Sequence, residues 1–207
     1  MIKLQGVTKV IKKKKVLDQI NLEIRDGEFI LLRGHNGCGK TMLLRVICGL
    51  LSPDEGTVLR DRDYRYGIII ETPAFLSAET AEYNLNYLAG FTKRIGPEQI
   101  EETLRQFGLY EDRKKKVRTF SLGMKQRLAL AQAVMEDPDM LLLDEPFNAI
   151  DDENLEIIVA LLNELHAAGK TILIASHGDY TKNCDFTRMI TMSNGKIKEE
   201  QTMDSVR

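Results

Sequence analysis

Residues 34–41 read Gly34-His-Asn-Gly-Cys-Gly-Lys-Thr41 and match the pattern G-x-x-x-x-G-K-[ST]. In such a loop the glycines bring backbone N–H groups close to phosphate oxygens, the lysine supplies positive charge, and the hydroxyl can ligate Mg²⁺. A short apolar stretch (28–33) precedes the loop and a helical pattern (39–51) follows it. The sequence therefore predicts a nucleotide phosphate site formed by Gly34, His35, Asn36, Gly37, Cys38, Gly39, Lys40, Thr41 and Met42.

A second acidic motif follows a predicted buried strand at residues 140–143. Asp144 stands at the strand end, where a carboxylate can hold the Mg²⁺ shell of a nucleotide site. Glu145, directly after it, can take a proton from an attacking water. The alternative interpretation is a pair of solvated charges at the end of a strand, and the phosphate loop elsewhere in the chain favours the catalytic one.

Length and composition are those of a soluble globular protein. The chain has 207 residues, 43% of them hydrophobic and 29% charged, enough for one domain or two small subdomains. A net charge of −2 argues against a nucleic-acid scaffold. No apolar run reaches the ~18–20 residues of a membrane span, and no signal peptide is apparent at the start. We expect a cytoplasmic protein whose membrane association comes through a partner.

The three cysteines and three histidines show no metal-binding pattern. The cysteines are odd in number and lack C-x-x-C spacing. Their pattern is therefore typical of reduced cytosolic thiols. Cys38 differs from the other two cysteines because it lies inside the phosphate loop. We interpret it as a small filler, with the further hypothesis that its alkylation blocks nucleotide binding and that bound nucleotide protects it.

The rest of the chain alternates strands and helices around a helical insert. Lys12 to Lys15 reads as a solvated hairpin tip, with contact to anionic lipid or a partner as the minority interpretation. The predicted strands cover 2–11, 16–24, 28–33, 57–59, 67–70, 140–143, 171–175 and 188–192. Helical patterns cover 39–51, the insert 79–120, 121–136 and a face from 155 to 165.

From Ile2 to about Glu200 the chain resembles the nucleotide-binding subunit of ATP-binding-cassette (ABC) transporters. The family's signature near L-S-G-G-Q appears as Phe120-Ser-Leu-Gly-Met-Lys-Gln126, 23 residues before Asp144. A short loop follows at Asn148-Ala-Ile-Asp151, and the switch histidine would be His177, 33 residues after Asp144. Five motifs in the correct order are far more specific than one.

The resemblance implies an α/β fold of the P-loop NTPase type. Its parts would be a RecA-like core sheet, an N-terminal antiparallel β subdomain and an α-helical subdomain. The whole of 1–207 would be one ABC ATPase domain, with 1–72 and 121–207 forming the catalytic core and β subdomain. Residues 73–120 would form the helical subdomain.

The resemblance also implies an ATPase that uses ATP and Mg²⁺. The catalytic residues would be Lys40, Glu145 and His177, and Thr41, Asp144 and Glu71 would form the metal site. Ser121 and Gly123 would come from a second subunit and cap the γ-phosphate of ATP, while Asp151 would link the two sites.

The implied partners are a second ATPase subunit, identical or paralogous, and an integral membrane permease encoded as a separate chain. No nucleic acid is expected as a partner. The subunit would therefore lie on the cytoplasmic face of the cell membrane, held there by the permease. The sequence does not indicate the cargo or the direction of transport.

Glu71 departs from the family pattern, which usually has a glutamine at this position. The carboxylate resembles the E-loop of the branch that exports or gives immunity to bacitracin, lantibiotics and similar peptides. A carboxylate keeps an oxygen ligand and adds negative charge beside the metal. The alternative is an ordinary transporter ATPase with a substituted Q-loop and an unrelated cargo.

Two further departures concern the nucleotide. The signature has Leu122 and Met124 where the family usually has glycine and glutamine, while Gly123 is retained, so we expect capping of ATP to survive. Val10 and Ile11 stand where an aromatic residue commonly stacks on adenine, and such stacking contributes about 1–3 kcal/mol per base. We therefore expect weak base discrimination, with GTP competing measurably with ATP.

Other classes of cassette protein fit less well. Cassettes of DNA repair or chromosome organisation carry a long coiled coil between the phosphate loop and the signature, and here only 81 residues separate Lys40 from Ser121. A fused translation factor would need two phosphate loops, and a regulatory binder would not need both Glu145 and His177. The helical insert, with Phe75, Tyr83 and Tyr87 nearby, would form the surface that docks a membrane subunit; the alternative is that these aromatic residues belong to the core.

Overall fold

The computed structural model describes residues 1–71, 74–177 and 183–203. The predicted boundary between the core and the helical subdomain falls on Thr72 and Pro73, which lie outside the described residues. The strands are β1 (Ile2–Ile11), β2 (Lys14–Ile24), β3 (Phe29–Arg33), β4 (Glu55–Arg60), β5 (Tyr66–Ile69), β6 (Met140–Asp144), β7 (Thr171–Ser176), β8 (Arg188–Ser193) and β9 (Lys196–Thr202). The helices are α1 (Lys40–Ile47), α2 (Ala81–Thr92), α3 (Pro97–Gln106), α4 (Leu122–Val134) and α5 (Asp152–Ala167).

The central sheet has the strand order β5-β6-β7-β3-β8-β9. Its first five strands are parallel, and β9 closes the edge as an antiparallel hairpin with β8. The two residues of that hairpin's turn, Asn194 and Gly195, both have positive φ, as a tight hairpin turn of this kind requires. The α/β fold class predicted from the sequence is confirmed.

The central strands are apolar throughout because both of their faces are covered. Alternate residues of β3 belong to different cores, with Phe29 and Leu31 on one face and Ile30 and Leu32 on the other. One core lies between the sheet and α2 to α5, and the second lies between the sheet, α1 and a separate antiparallel sheet.

The antiparallel sheet has the order β2-β1-β4, the β subdomain that the resemblance implied. The turn between β1 and β2 holds Lys12 and Lys13, both exposed and with φ of +48° and +64°. Lys15 pairs with Asp18 at 2.9 Å. The interpretation of the lysine run as a solvated hairpin tip agrees with this exposure.

The helix after the phosphate loop is shorter than its sequence pattern suggested. The pattern 39–51 included Leu50 in the apolar face, but α1 ends at Ile47 and Leu50 is 66% exposed. Gly49 has a φ of +80°, a left-handed conformation that commonly ends a helix. The prediction of a longer helix was therefore wrong at its C-terminal end.

Candidate nucleotide site

The phosphate loop lies at the carboxyl end of β3 and leads directly into α1. Gly37 and Gly39 have φ of +76° and +114°, which residues with a side chain rarely adopt. A Cβ atom on Gly39 would lie 2.6 Å from the Val16 carbonyl oxygen, so the loop also needs glycine there for close packing. Gly39 precedes the first turn of α1, whose N–H groups have no partner within the helix and suit an anion.

Lys40 lies inside the loop, with only 6% of its surface exposed. Its Nζ donates to the Gly34 carbonyl at 2.6 Å and lies 3.5 Å from the carbonyl oxygen of His35. These contacts hold the ammonium group against the loop backbone. The positive charge is therefore placed among the groups that would surround a phosphate.

Register within the sheet brings the acidic motif to the loop. Parallel pairing sets Arg33 of β3 opposite Ser176 of β7, and Asp144 of β6 opposite Ala175 of the same strand. The carboxyl ends of β3, β6 and β7 thus meet at one edge of the sheet, where ligands bind in open α/β folds. His177 follows β7 at the same edge.

Thr41 and Asp144 form the part of the site that fits a hard cation. Thr41 Oγ1 donates to Asp144 Oδ2 at 2.5 Å, so two oxygen ligands of the kind Mg²⁺ prefers are already adjacent. Among the described residues no group of three or more His, Cys, Asp or Glu side chains forms a metal cluster.

Asp144 is destabilised in its ionised form. Burial raises the pKa of its carboxyl above the usual value, and the charges of Glu145 and Glu71 act in the same direction. The hydrogen bond from Thr41 and the charge of Lys40 lower the pKa but do not cancel that effect. A cation bound at this carboxylate would relieve the cost.

Asp144→Asn is expected to raise the thermal midpoint of the nucleotide-free protein at neutral pH while abolishing hydrolysis. The raised pKa means that the folded protein holds the proton more tightly than the unfolded chain, so ionisation weakens the fold as pH rises. The rise in the thermal midpoint should be complete at pH values above the pKa of Asp144 in the folded protein, and it should vanish as the pH falls to about 4. Calorimetry without Mg²⁺ measures the midpoint, which should rise by roughly 2–4 °C for each kcal/mol added to the free energy of unfolding.

The matched control for this prediction is Asp63→Asn, which removes an exposed carboxylate outside the site. The control should leave the midpoint nearly unchanged across the same pH range. An Asp144→Asn midpoint below that of the wild-type protein at neutral pH would contradict the prediction.

Glu145 contacts the end of β7 through both its backbone and its side chain. Its N–H donates to the Ala175 carbonyl at 2.8 Å, and its φ is +49°. Oε1 lies 2.6 Å from His177 Nδ1, and Ser176 Oγ lies 3.4 Å from Oε2. The carboxylate is therefore fixed between two groups, as a general base needs to be.

Two cavities meet at the acidic residues. The first has a volume of about 420 Å³ and extends from Ile11 and Val16 past the phosphate loop and Met42 to the carboxylates. The second, of about 470 Å³, is lined by Leu122, Gln126 and Asn148. Both cavities are lined by Glu71, Asp144 and Glu145.

Ile11 and Val16 give the first cavity an apolar end. Val16 was not among the predicted nucleotide contacts, because the sequence pattern identifies the strand but not which residue of the hairpin faces the loop. Competition by GTP stays a prediction.

The signature helix α4 begins beside the second cavity and not at the phosphate loop. Ser121 accepts the Met124 N–H at 3.1 Å and so caps its own helix. A Cβ atom on Gly123 would lie 2.7 Å from the Ala149 carbonyl oxygen, so this glycine permits close packing on the loop after Glu145. Asp151 caps α5 by accepting the Asn154 N–H at 3.0 Å. Neither Ser121 nor Gly123 lines either of the two cavities.

The Cys38 thiol does not face the pocket. Cys38 is 1% exposed and packs in the core beneath α1, and a Cβ atom on Gly34 would lie 2.6 Å from its Sγ. The filler interpretation agrees with this burial, whereas fast alkylation of the free protein does not. A contribution of Cys38 to phosphate binding would come from its backbone.

The aromatic residues of the insert divide between surface and core. Tyr83 and Tyr87 on α2 are 47% and 49% exposed, and Phe91 one turn further is 71% exposed. The rings of Tyr83 and Tyr87 stack with centroids 6.2 Å apart, and Phe91 meets Tyr87 edge-on at 5.1 Å. Phe75 is partly buried against the core. A core role is thus wrong for the two tyrosines and fits Phe75.

Comparison with known sequences finds relatives that are ATP-binding proteins of transporters. The profile of the family described as "ABC transporter" matches residues 17–148. YybJ of Bacillus subtilis strain 168, an uncharacterized ABC transporter ATP-binding protein, is 38% identical over 97% of this chain and 96% of its own length. The bacitracin transport ATP-binding protein BcrA of Enterococcus faecalis is 37% identical over 86% of this chain and 61% of its own length. The lantibiotic transport ATP-binding protein SrtF of Streptococcus pyogenes is 33% identical over 99% and 92%.

Solved structures give the same fold. The dimeric structure of the bacterial ABC transporter cassette MJ0796 matches with a TM-score of 0.90, at 28% identity and 99% coverage of both chains. A dimeric post-hydrolysis state of that cassette, bound to ADP and Pi, matches with a TM-score of 0.89 at 27% identity and the same coverage. The predicted cassette fold and the resemblance to bacitracin and lantibiotic transport ATPases are confirmed.

Proposed function

We propose that this chain, which belongs to the ABC transporter family, pairs head to tail with a second cassette and drives a separate membrane permease. It is an ATP-binding ATPase of that family. One observation carries the site assignment: Lys40, Thr41, Asp144 and Glu145 line a single cavity at the carboxyl edge of the sheet. This supports the roles predicted for them in phosphate binding, metal binding and proton transfer.

Within one subunit, the groups divide the work of hydrolysis. Lys40 and the first turn of α1 bind the outer phosphates, and Glu145 accepts a proton from the attacking water. His177 holds the Glu145 carboxylate at 2.6 Å and would hydrogen-bond the γ-phosphate when ATP is bound. Thr41 and Asp144, with Glu71, would hold Mg²⁺, which neutralises charge on the phosphate oxygens.

The position of the signature supports pairing with a second subunit. Neither Ser121 nor Gly123 lines the cavity that contains the subunit's own phosphate loop, so a site that needs both elements would take them from different chains. A helix N-terminus with a hydroxyl suits a γ-phosphate. The solved relative MJ0796 is a dimer, which agrees with this arrangement.

Light scattering tests the pairing. A nonhydrolysable ATP analogue with Mg²⁺ should double the mass of the particle, and ADP should leave it monomeric. The control variant Tyr87→Ser removes an exposed aromatic residue outside the predicted interface and should dimerise like the wild-type chain. A mass that stays monomeric with the analogue would contradict the head-to-tail proposal.

The exposed aromatic stripe Tyr83, Tyr87 and Phe91 is the proposed contact with the permease. Three solvent-exposed rings on one helix face are typical of a protein contact surface. No helix of the described residues is long and apolar enough to cross a membrane. In this proposal the permease is a separate chain that holds the subunit at the inner face of the membrane. Residues 73–120 would act as the helical subdomain and the remainder as core and β subdomain.

Peptide antibiotics are the proposed cargo, in export or immunity. Glu71 in place of the usual glutamine supports this, and the bacitracin and lantibiotic relatives agree with it. Deleting the gene should lower the bacitracin or lantibiotic concentration that inhibits growth, while sensitivity to kanamycin stays unchanged. Equal sensitivity of deleted and parental cells to all of these peptides would favour an unrelated cargo.

Weak base selection is proposed for the apolar end of the cavity. Ile11 and Val16 offer contact to a purine ring but neither stacking nor hydrogen bonds from their side chains. Excess GTP should therefore reduce ATP hydrolysis by competition, measured as an inhibition constant within about tenfold of the KM for ATP. Ile11→Tyr should tighten the binding of ATP and GTP alike, because a stacking ring does not distinguish the two purines. Strict ATP preference in the wild-type protein would show that other residues select the base.

A further inference from the structure

Glu71 and Arg45 form an ion pair that joins the loop after β5 to the phosphate-loop helix. Arg45 Nη2 donates to Glu71 Oε1 at 2.5 Å. Arg45 lies in the last turn of α1, and the two residues are 26 positions apart in the chain. Glu71 has a φ of +66°, an uncommon conformation for a residue with a side chain, and in it the carboxylate reaches Arg45.

Stability does not explain this contact. The side chains of Arg45 and Glu71 are 31% and 64% exposed, and ion pairs of that exposure contribute little to the free energy of unfolding. What the pair does determine is the position of the Glu71 carboxylate.

The surroundings of Glu71 make that position important. Glu71, Asp144 and Glu145 line the same cavity, and the charge of Glu71 is one of those that raise the pKa of Asp144. Three carboxylates in one cavity repel one another unless a cation lies among or beside them. Arg45 supplies such a cation and binds the carboxylate that is most exposed.

We propose that Arg45 is a positioning residue, which holds the Glu71 carboxylate on α1 in competition with the metal ion and so weakens the affinity of the site for Mg²⁺-nucleotide. The inference rests on the proposed metal role of Glu71. A glutamine at this position would form no ion pair with Arg45, so the effect depends on the carboxylate of this chain. Binding of Mg²⁺-nucleotide and release of Arg45 are then linked steps.

A double-mutant cycle tests the competition. The variants are Arg45→Met, Glu71→Gln and the double variant, each titrated with a fluorescent nonhydrolysable ATP analogue in excess Mg²⁺ and again in EDTA. The dissociation constant in EDTA divided by that in Mg²⁺ is a ratio that measures the metal contribution without relying on turnover. Arg45→Met should raise this ratio by roughly two- to fivefold when Glu71 is present, the range expected for a partly exposed ion pair. It should leave the ratio unchanged in the Glu71→Gln background.

Two further variants separate the ion pair from general charge effects. Arg45→Lys keeps the cation and should stay near the wild-type ratio. Arg60→Met removes a cation of β4 that lies against the end of α1 and donates to the Ile47 carbonyl at 2.8 Å, and it should not raise the ratio.

The outcomes distinguish the two proposals. If Arg45→Met changes the ratio equally in both backgrounds, or in neither, while Glu71→Gln lowers it, the positioning role is overturned and the metal role of Glu71 stands. If Glu71→Gln and Glu71→Ala both leave the ratio at the wild-type value, the metal role fails, and the inference about Arg45 fails with it.

Discussion

Replacing Glu145 with glutamine is expected to lower ATP turnover by about 10²–10⁴-fold, the contribution of a positioned general base. The amide keeps the size of the side chain but cannot accept the proton of the attacking water. The backbone contact of Glu145 with Ala175 and the phosphate-loop residues are unchanged by the substitution. ATP binding should therefore survive, and dimers should accumulate with ATP alone because hydrolysis no longer separates them.

Phosphate release and light scattering with hydrolysable ATP measure the two parts of this prediction. Glu156→Gln makes the same chemical change on the exposed face of α5 and serves as the control, with wild-type turnover expected. Wild-type turnover in Glu145→Gln would show that another group accepts the proton. The nearest such group is His177, and His177→Ala would then identify it.

Mixing two inactive variants should restore hydrolysis if each site takes its signature from the other chain. Lys40→Ala removes the charge proposed to bind phosphate, and Gly123→Val introduces a side chain against the Ala149 carbonyl at the signature. A mixed dimer has one site with both defects and one site with neither. Random pairing makes about half of the dimers mixed, so the mixture should recover roughly a quarter of the wild-type rate.

A second mixture provides the matched control. Lys40→Ala and Glu145→Gln affect residues that line the same cavity, so every site in their mixed dimer carries one defect. That mixture should stay inactive. Because Gly123→Val changes packing, its circular dichroism and its nucleotide binding are compared with the wild-type protein first. Activity that stays near zero in the first mixture, with both variants folded, would place the signature and the loop of one site in the same chain.

The sequence was most informative where a residue type has a single structural consequence. The apolar strands β3, β6 and β7 were recognisable because both of their faces are buried, and the glycines of residues 34–39 marked a loop of unusual backbone conformation. The end of α1 was predicted less well, since Leu50 continues the helical pattern although Gly49 ends the helix. Local pattern alone did not show which of these two signals would prevail.

Contacts between distant residues were beyond the sequence. Nothing in the pattern around Arg45 indicates that it meets Glu71, because the pair depends on how α1 and the loop after β5 pack. Likewise, the burial of the Cys38 thiol and the exposure of Tyr83 depend on side-chain directions that periodicity in a short segment does not determine. The residues of the phosphate loop could be located, but their orientation required the fold.

The close packing of α4 on the segment after Glu145 has a consequence for cooperativity. Gln126 Nε2 donates to the Pro146 carbonyl at 3.0 Å, and Gly123 packs against Ala149. These contacts connect Glu145, which would act on the ATP of its own chain, to the N-terminus of α4. That N-terminus would face the ATP of the other chain. Nucleotide bound in one half of the pair would then alter the affinity of the other half, and by linkage this influence on binding is mutual. A Hill coefficient different from one would follow from packing within a single chain, with no separate relay between the halves.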